Sequence, residues 1–166
     1  MKVKSDHRID GCIAVEMACE EIYRRLSERF PEAGGLWNEL SGEEKNHAVS
    51  LILTKGGGLE DNLPDLSVHH SMPFINEALE LARAIKKRMS DGDITLEEAL
   101  RLSLDLEKSV IEGFFWDVFT GENDMQALAR LKQLIEKEHS QGEKIILFME
   151  KQGIAHKSFK PDIPGD

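Results

Sequence analysis

Apolar residues recur along this chain at alternating steps of three and four, the spacing that lines one face of an α-helix. Over residues 8–29 the stripe reads Cys12, Glu16, Cys19, Tyr23, Leu26 and on to Phe30, and Pro31 ends the segment. A second helix follows the turn at residues 32–35, with Leu36, Leu40, Glu44, His47 and Leu51 on one face, and stops at Gly56-Gly57-Gly58. Ser41 and Glu44 have the spacing of a capping box, yet Leu36, Trp37 and Leu40 carry the same face upstream, so the helix starts before Ser41. Residues 56–73 read as the longest irregular stretch, holding Pro64, Pro73 and the loop pair His69-His70. An inserted helix over 74–89 comes next, with Pro73 suited to its first turn and Phe74, Ile75, Ala78, Leu81, Ala82, Ile85 and Met89 at helical spacing. After the turn at Asp91-Gly92-Asp93, Thr95 and Glu98 form a capping box for a helix over 96–119, with Leu100, Ser103, Glu107, Val110, Phe114 and Val118 facing in. The last helix begins after residues 120–124 and runs to about residue 152, burying Leu128, Leu131, Ile135, His139, Gly142, Ile146 and Met149. No segment alternates with period two, so the fold class is all-α.

Two of these stripes contain a glutamate at a core position, Glu16 and Glu107. An ionised carboxylate is costly there unless a cation meets it. The other two bundle helices each carry a Glu-x-x-His, Glu44 with His47 and Glu136 with His139, and residues three apart share a helix face. With 6 His in 166 residues, composition alone supplies about 0.7 such pairs, so one would mean little. The two pairs are instead parts of a repeat. Glu16 precedes Glu44 by 28 residues and Glu107 precedes Glu136 by 29, and an aromatic follows each upstream glutamate by seven, Tyr23 and Phe114. The chain is thus two helical hairpins offset by about 91 residues, joined by about forty residues that can cross the length of a bundle.

The whole-chain figures narrow the chemistry. A length of 166 residues suits a single domain over 1–166, with a bundle core over 8–152 and a mobile tail over 153–166. A net charge of −10 argues against nucleic acid and against an anionic membrane surface. No apolar run reaches the length of a membrane span and the N-terminus lacks a signal-peptide core, which makes the expected location cytoplasmic. Cys12 and Cys19 are the only cysteines, about 10 Å apart along one helix by its rise, too far for a disulfide. There is no Cys-x-x-Cys, hence no rubredoxin-type iron site or zinc knuckle, and no His-Glu-x-x-His of a zinc hydrolase.

Glu16, Glu44-x-x-His47, Glu107 and Glu136-x-x-His139 on two helical hairpins resemble the ferritin-like di-iron carboxylate superfamily, and within it the diiron domain of rubrerythrin-type proteins. The resemblance covers about residues 8–152 and matches all six positions. Two departures stand out. Leu104 and Val110 occupy the places three residues from Glu107 where rubrerythrins proper carry an extra ligand glutamate, and no rubredoxin module is present. The remaining set is closer to the catalytic centres of bacterioferritins.

The resemblance implies a ferritin-like four-helix bundle whose long crossover contains the extra helix. It implies two metal ions, iron or else manganese, with Glu16 and Glu107 as terminal ligands, Glu44 and Glu136 as bridges and one histidine per metal. Mixed oxygen and imidazole donors suit either metal. The expected activity is oxidation of Fe(II), or reduction of O₂ or H₂O₂ with an external electron donor. The other reading is a non-catalytic role, as iron carrier or as helical partner-binding protein with a structural metal, and a homodimer is compatible with both. Tyr23 reads as core packing or as a hydrogen-bond donor to the site. Glu20 and Glu143 are the expected outer partners of the ligands, and Cys12 and Cys19 read as apolar fillers.

Overall fold

The computed structural model describes residues 6–56, 68–119 and 141–156, and these are helical apart from short connections. Helix α1 spans Asp6–Arg29, α2 Gly34–Gly56, α3 Val68–Asp91 and α4 Leu96–Phe119, while residues 141–151 form α5. No strand occurs among the described residues, so the class read from the sequence holds. Nor is any described helix long and apolar enough to cross a membrane.

Pro31 ends α1 and opens a single 3-10 turn, Pro31–Ala33, which leads directly into α2. Because the face of α2 already begins near Ala33 and Trp37, both buried, Ser41 lies inside the helix and caps nothing. Its hydroxyl instead approaches the carbonyl oxygen of Glu20 at 3.4 Å. Passing down α1 from Tyr23 through Glu20 to Glu16, the partners on α2 pass up from Trp37 through Ser41 to Glu44. The two helices are therefore antiparallel, as their short turn requires.

The inserted helix is longer than its periodic core suggested. It starts at Val68 rather than 74, so His69-His70 belong to a helix, and Pro73 sits in its second turn instead of its first. Proline there only removes one donor near the open end of the helix, which the burial of Ile75, Ala78, Ala82, Ile85 and Met89 downstream outweighs. α3 packs on both α1 and α4. Its contacts with α1 advance together, Gly11 against Ile75, Glu21 with Lys86 at 2.6 Å, and Arg25 with Ser90 at 3.4 Å, so the two run in the same direction. At Gly11 the helices approach so closely that a Cβ would lie 2.8 Å from Ile75 Cγ2. Arg29 closes the far end by donating to the carbonyls of Met89 at 2.9 Å and Gly92 at 2.7 Å, groups the end of a helix leaves without partners.

Helix α4 begins where its cap predicts, with the Glu98 amide donating to Thr95 Oγ1 at 3.1 Å. The Glu98 carboxylate does not fold back as in a complete capping box. It takes two bonds from Arg88 across the 92–95 loop, at 2.7 and 3.0 Å. Helix α5 ends in a Schellman motif: Gly153 has φ +70°, the Ile154 amide bonds Met149 O at 2.9 Å and the Gly153 amide bonds Glu150 O at 3.0 Å. Ile154 packs on the core and Ala155 O accepts from Arg101 at 2.8 Å. Residues 153–156, expected in the mobile tail, are thus held in place; residues 157–166 lie outside the described set.

Candidate metal centre

α1 presents Glu16 and, two turns on, Tyr23 on its buried face; α2 presents Glu44 and His47 one turn apart. Where the two helices lie side by side these residues meet. His47 Nδ1 is 3.4 Å from Glu16 Oε2 and 3.5 Å from Glu44 Oε2, and the three groups each offer a ligand atom within 4.8 Å of the others. Glu16 and Glu44 are each 2% exposed, and Glu16 Oε2 accepts no hydrogen bond. The His47 side chain is 15% exposed and forms the edge of the site nearest solvent.

Two carboxyls at this depth repel each other and are poorly solvated. Burial first, then the Glu16 carboxyl as hydrogen-bond partner, hold Glu44 well above the usual carboxylate range, while the His47 imidazole pulls the other way. A divalent cation among the three groups would replace that proton and supply the missing positive charge. Two carboxylate oxygens and an imidazole nitrogen are a donor set that could hold a divalent metal ion, with no soft sulfur ligand among them.

Glu107 comes from α4 and is buried to 1%. Tyr23 joins it to the α1–α2 cluster: its hydroxyl donates to Glu107 Oε1. Burial raises the Tyr23 pKa well above the ordinary phenol value, and Glu107, Cys19 and Glu44 add to the rise, so the phenol stays a neutral donor. Its ring stacks on Trp37, centroids 5.8 Å apart and planes 17° off parallel. Lys144 of α5 is paired with Glu39 at 2.8 Å and with Glu43, which fixes α5 against the helix that carries Glu44. Gln141, one turn before Lys144, is buried to 1% with neither amide atom hydrogen-bonded.

Of the six residues singled out in the sequence, then, the structure brings Glu16, Glu44 and His47 together, while Glu107 is buried on α4 and hydrogen-bonded to Tyr23, outside that group of three. Glu136 and His139 lie outside the described residues, as does the side chain of Phe114. Glu20 turns to Arg24 at 3.6 Å and to Ser41, and Glu143 is exposed. Both sit one position off the buried stripe, where a charged side chain reaches water at no cost. Sequence reasoning passed over two buried residues, Trp37, which stacks on Tyr23, and Gln141. Trp37 lies seven residues before Glu44 on the same α2 stripe, a spacing that could have flagged it, whereas nothing in the pattern marks Gln141. Comparison with protein-family models, curated proteins and solved structures finds no match to this chain.

Proposed function

We propose that this chain is a ferritin-like di-iron carboxylate protein that oxidises Fe(II) with O₂ or H₂O₂, and that its fold is a four-helix bundle with α3 as the helical crossover. The observation that carries the reading is the convergence of Glu16, Glu44 and His47 from two helices at a buried point, on the same residues the repeat picks out. Two supports stand beside it. α3 runs along α1 in the same direction, which returns the chain along the bundle as a crossover between two hairpins must. Lys144 ties the segment that follows Glu136 and His139 in sequence to the Glu44 helix, the arrangement needed for a second half-site.

In this reading Glu16 and Glu107 are terminal ligands, Glu44 and Glu136 bridge, and His47 and His139 serve one metal each. A pair of Fe(II) ions held by these residues would supply the electrons that reduce oxygen or peroxide, and the same donors would also accept manganese. The protein's own groups do the rest. Glu44 gives up its proton as Fe(II) binds, because only the carboxylate can ligate. Tyr23 fixes the orientation of Glu107 by donating to its Oε1. Burial of Glu16 and Glu44 to 2% exposure keeps bulk water from the carboxyls.

Anaerobic Fe(II) loading followed by stopped-flow mixing with O₂ or H₂O₂ tests the proposal. The wild type should oxidise Fe(II) far faster than buffer does, and Glu16→Ala and Glu44→Ala should fall to the buffer rate. Tight iron binding without faster oxidation would instead favour an iron carrier or a structural metal.

A further inference from the structure

Arg25 and Arg29 lie one turn apart on α1, and with Glu28 of α1 and Met89 of α3 they line a surface cleft of about 310 Å³ near the ends of the two helices. Like charges at this spacing disfavour a helix, and the fold gives neither arginine a close carboxylate of its own. Glu21 is 3.7 Å from Arg25 but takes a hydrogen bond of 2.6 Å from Lys86, the chief cause that holds it below the usual carboxylate range. Glu28 pairs with Arg24 at 3.4 Å and Asp91 with Lys87. Arg29 makes no ion pair among the described residues, and its bonds to the carbonyls of Met89 and Gly92 engage only part of its fork of donors. Capping of the α3 carbonyls accounts for Arg29 but not for a second guanidinium beside it. Two cations without close counter-charges thus line one cleft, in a chain whose net charge is −10.

We propose that this cleft binds a divalent oxyanion, a phosphate or a small dicarboxylate, gripped between Arg25 and Arg29 and resting against Met89. A planar guanidinium presents paired N–H donors that match two oxygens of one phosphate or carboxylate group. Arg29 is already fixed by its two carbonyl bonds, so little freedom is lost when its remaining donors take up an anion. Arg25 has no contact shorter than the 3.4 Å to Ser90, and its side chain is 34% exposed, which leaves it free to close on the ligand. Glu28, 69% exposed at the rim, opposes an anion and limits how tightly one is held. A dianion answers both cations, where a monoanion answers one. Arg25 lies nine residues past Glu16, about 14 Å along α1, so the cleft does not draw on the carboxylate cluster and does not rest on the metal reading.

The test is a titration of the full, metal-free, isotope-labelled chain with sodium phosphate and, separately, with succinate, each as the dianion and with chloride adjusted to hold the ionic strength constant. Arginine side-chain Nε–H signals are followed by nuclear magnetic resonance. Those of Arg25 and Arg29 should move along saturating curves, while those of Arg83 and Arg101, each paired with a neighbouring glutamate, should stay. Acetate should bind more weakly than succinate. Arg25→Gln, at a position with only long contacts within the fold, should weaken binding about tenfold through the loss of one charge-assisted pair. Glu28→Gln removes the like charge at the rim and should tighten binding about two- to threefold. Saturation by phosphate alone, or by succinate alone, upholds the site and identifies which oxyanion it takes. Shifts that grow without saturation at every arginine, the mark of general screening, overturn it. So does an Arg25→Gln response equal to that of the wild type.

Discussion

Tyr23→Phe removes a single oxygen atom from the middle of the protein, and its effect can be worked out from the contacts. The ring remains, so the stack on Trp37 and the apolar packing persist. What is lost is the bond to Glu107 Oε1, in surroundings where neither residue is more than 1% exposed. Water cannot replace the donor there, and leaving a buried acceptor unsatisfied costs about 1–3 kcal/mol. For a chain of this length each kcal/mol lowers the midpoint of thermal unfolding by about 2–4 °C. Urea unfolding of metal-free protein is the direct assay, with an unchanged m-value as the sign that only stability has moved. A double-mutant cycle with Glu107→Gln should give a coupling of about 1 kcal/mol or more, since the two groups are in contact. A Tyr23→Phe loss within about 0.5 kcal/mol, the range of an ordinary surface substitution, would refute the reasoning.

Glu44 has a folded-state pKa raised by burial and by Glu16, so the folded metal-free protein holds a proton that the unfolded chain releases. That contribution is fully present below the ordinary glutamate value and is lost as pH rises through the raised one. Metal-free wild type should therefore lose stability as pH rises above the ordinary glutamate range toward the raised Glu44 value, and Glu44→Gln should flatten the slope, as urea titrations at several pH values will show. Gly11→Ala places a methyl group against the stiff, β-branched Ile75 and should destabilise by about 1–3 kcal/mol, and pairing it with Ile75→Val should recover part of the loss in the same unfolding assay. Lys144→Met removes the link from α5 to Glu39 and Glu43 and should cost about 1 kcal/mol at low salt and less in high salt, a dependence that denaturation at two ionic strengths will reveal.

Helix positions were legible in the sequence because burial enforces periodicity. α4 falls where its cap and stripe place it, and the start of α2 upstream of Ser41 follows from Leu36, Trp37 and Leu40. The inserted helix was readable only over its buried part, since residues 68–73 carry a proline and two histidines, whose composition resembles that of a loop. Glu16, Glu44 and His47 could be foreseen as a cluster because a glutamate on an apolar stripe needs a reason to be there. Contacts between elements distant in sequence were harder to foresee. The Tyr23–Glu107 bond spans 84 residues, and it depends on how α1 and α4 pack rather than on any local spacing. Gln141 was invisible for the same reason: its neighbours in sequence do not reveal that this part of α5 is sealed against α2.

The central claim is a site for two metal ions, and metal stoichiometry tests it most directly. Metal-free protein titrated anaerobically with Fe(II), with bound metal counted by elemental analysis after desalting, should hold two ions per chain, and Glu44→Ala, which deletes a proposed bridge, should hold one or none. A wild type that binds a single ion at Glu16, Glu44 and His47, or a Glu44→Ala variant that still binds two with unchanged affinity, would contradict the dinuclear account.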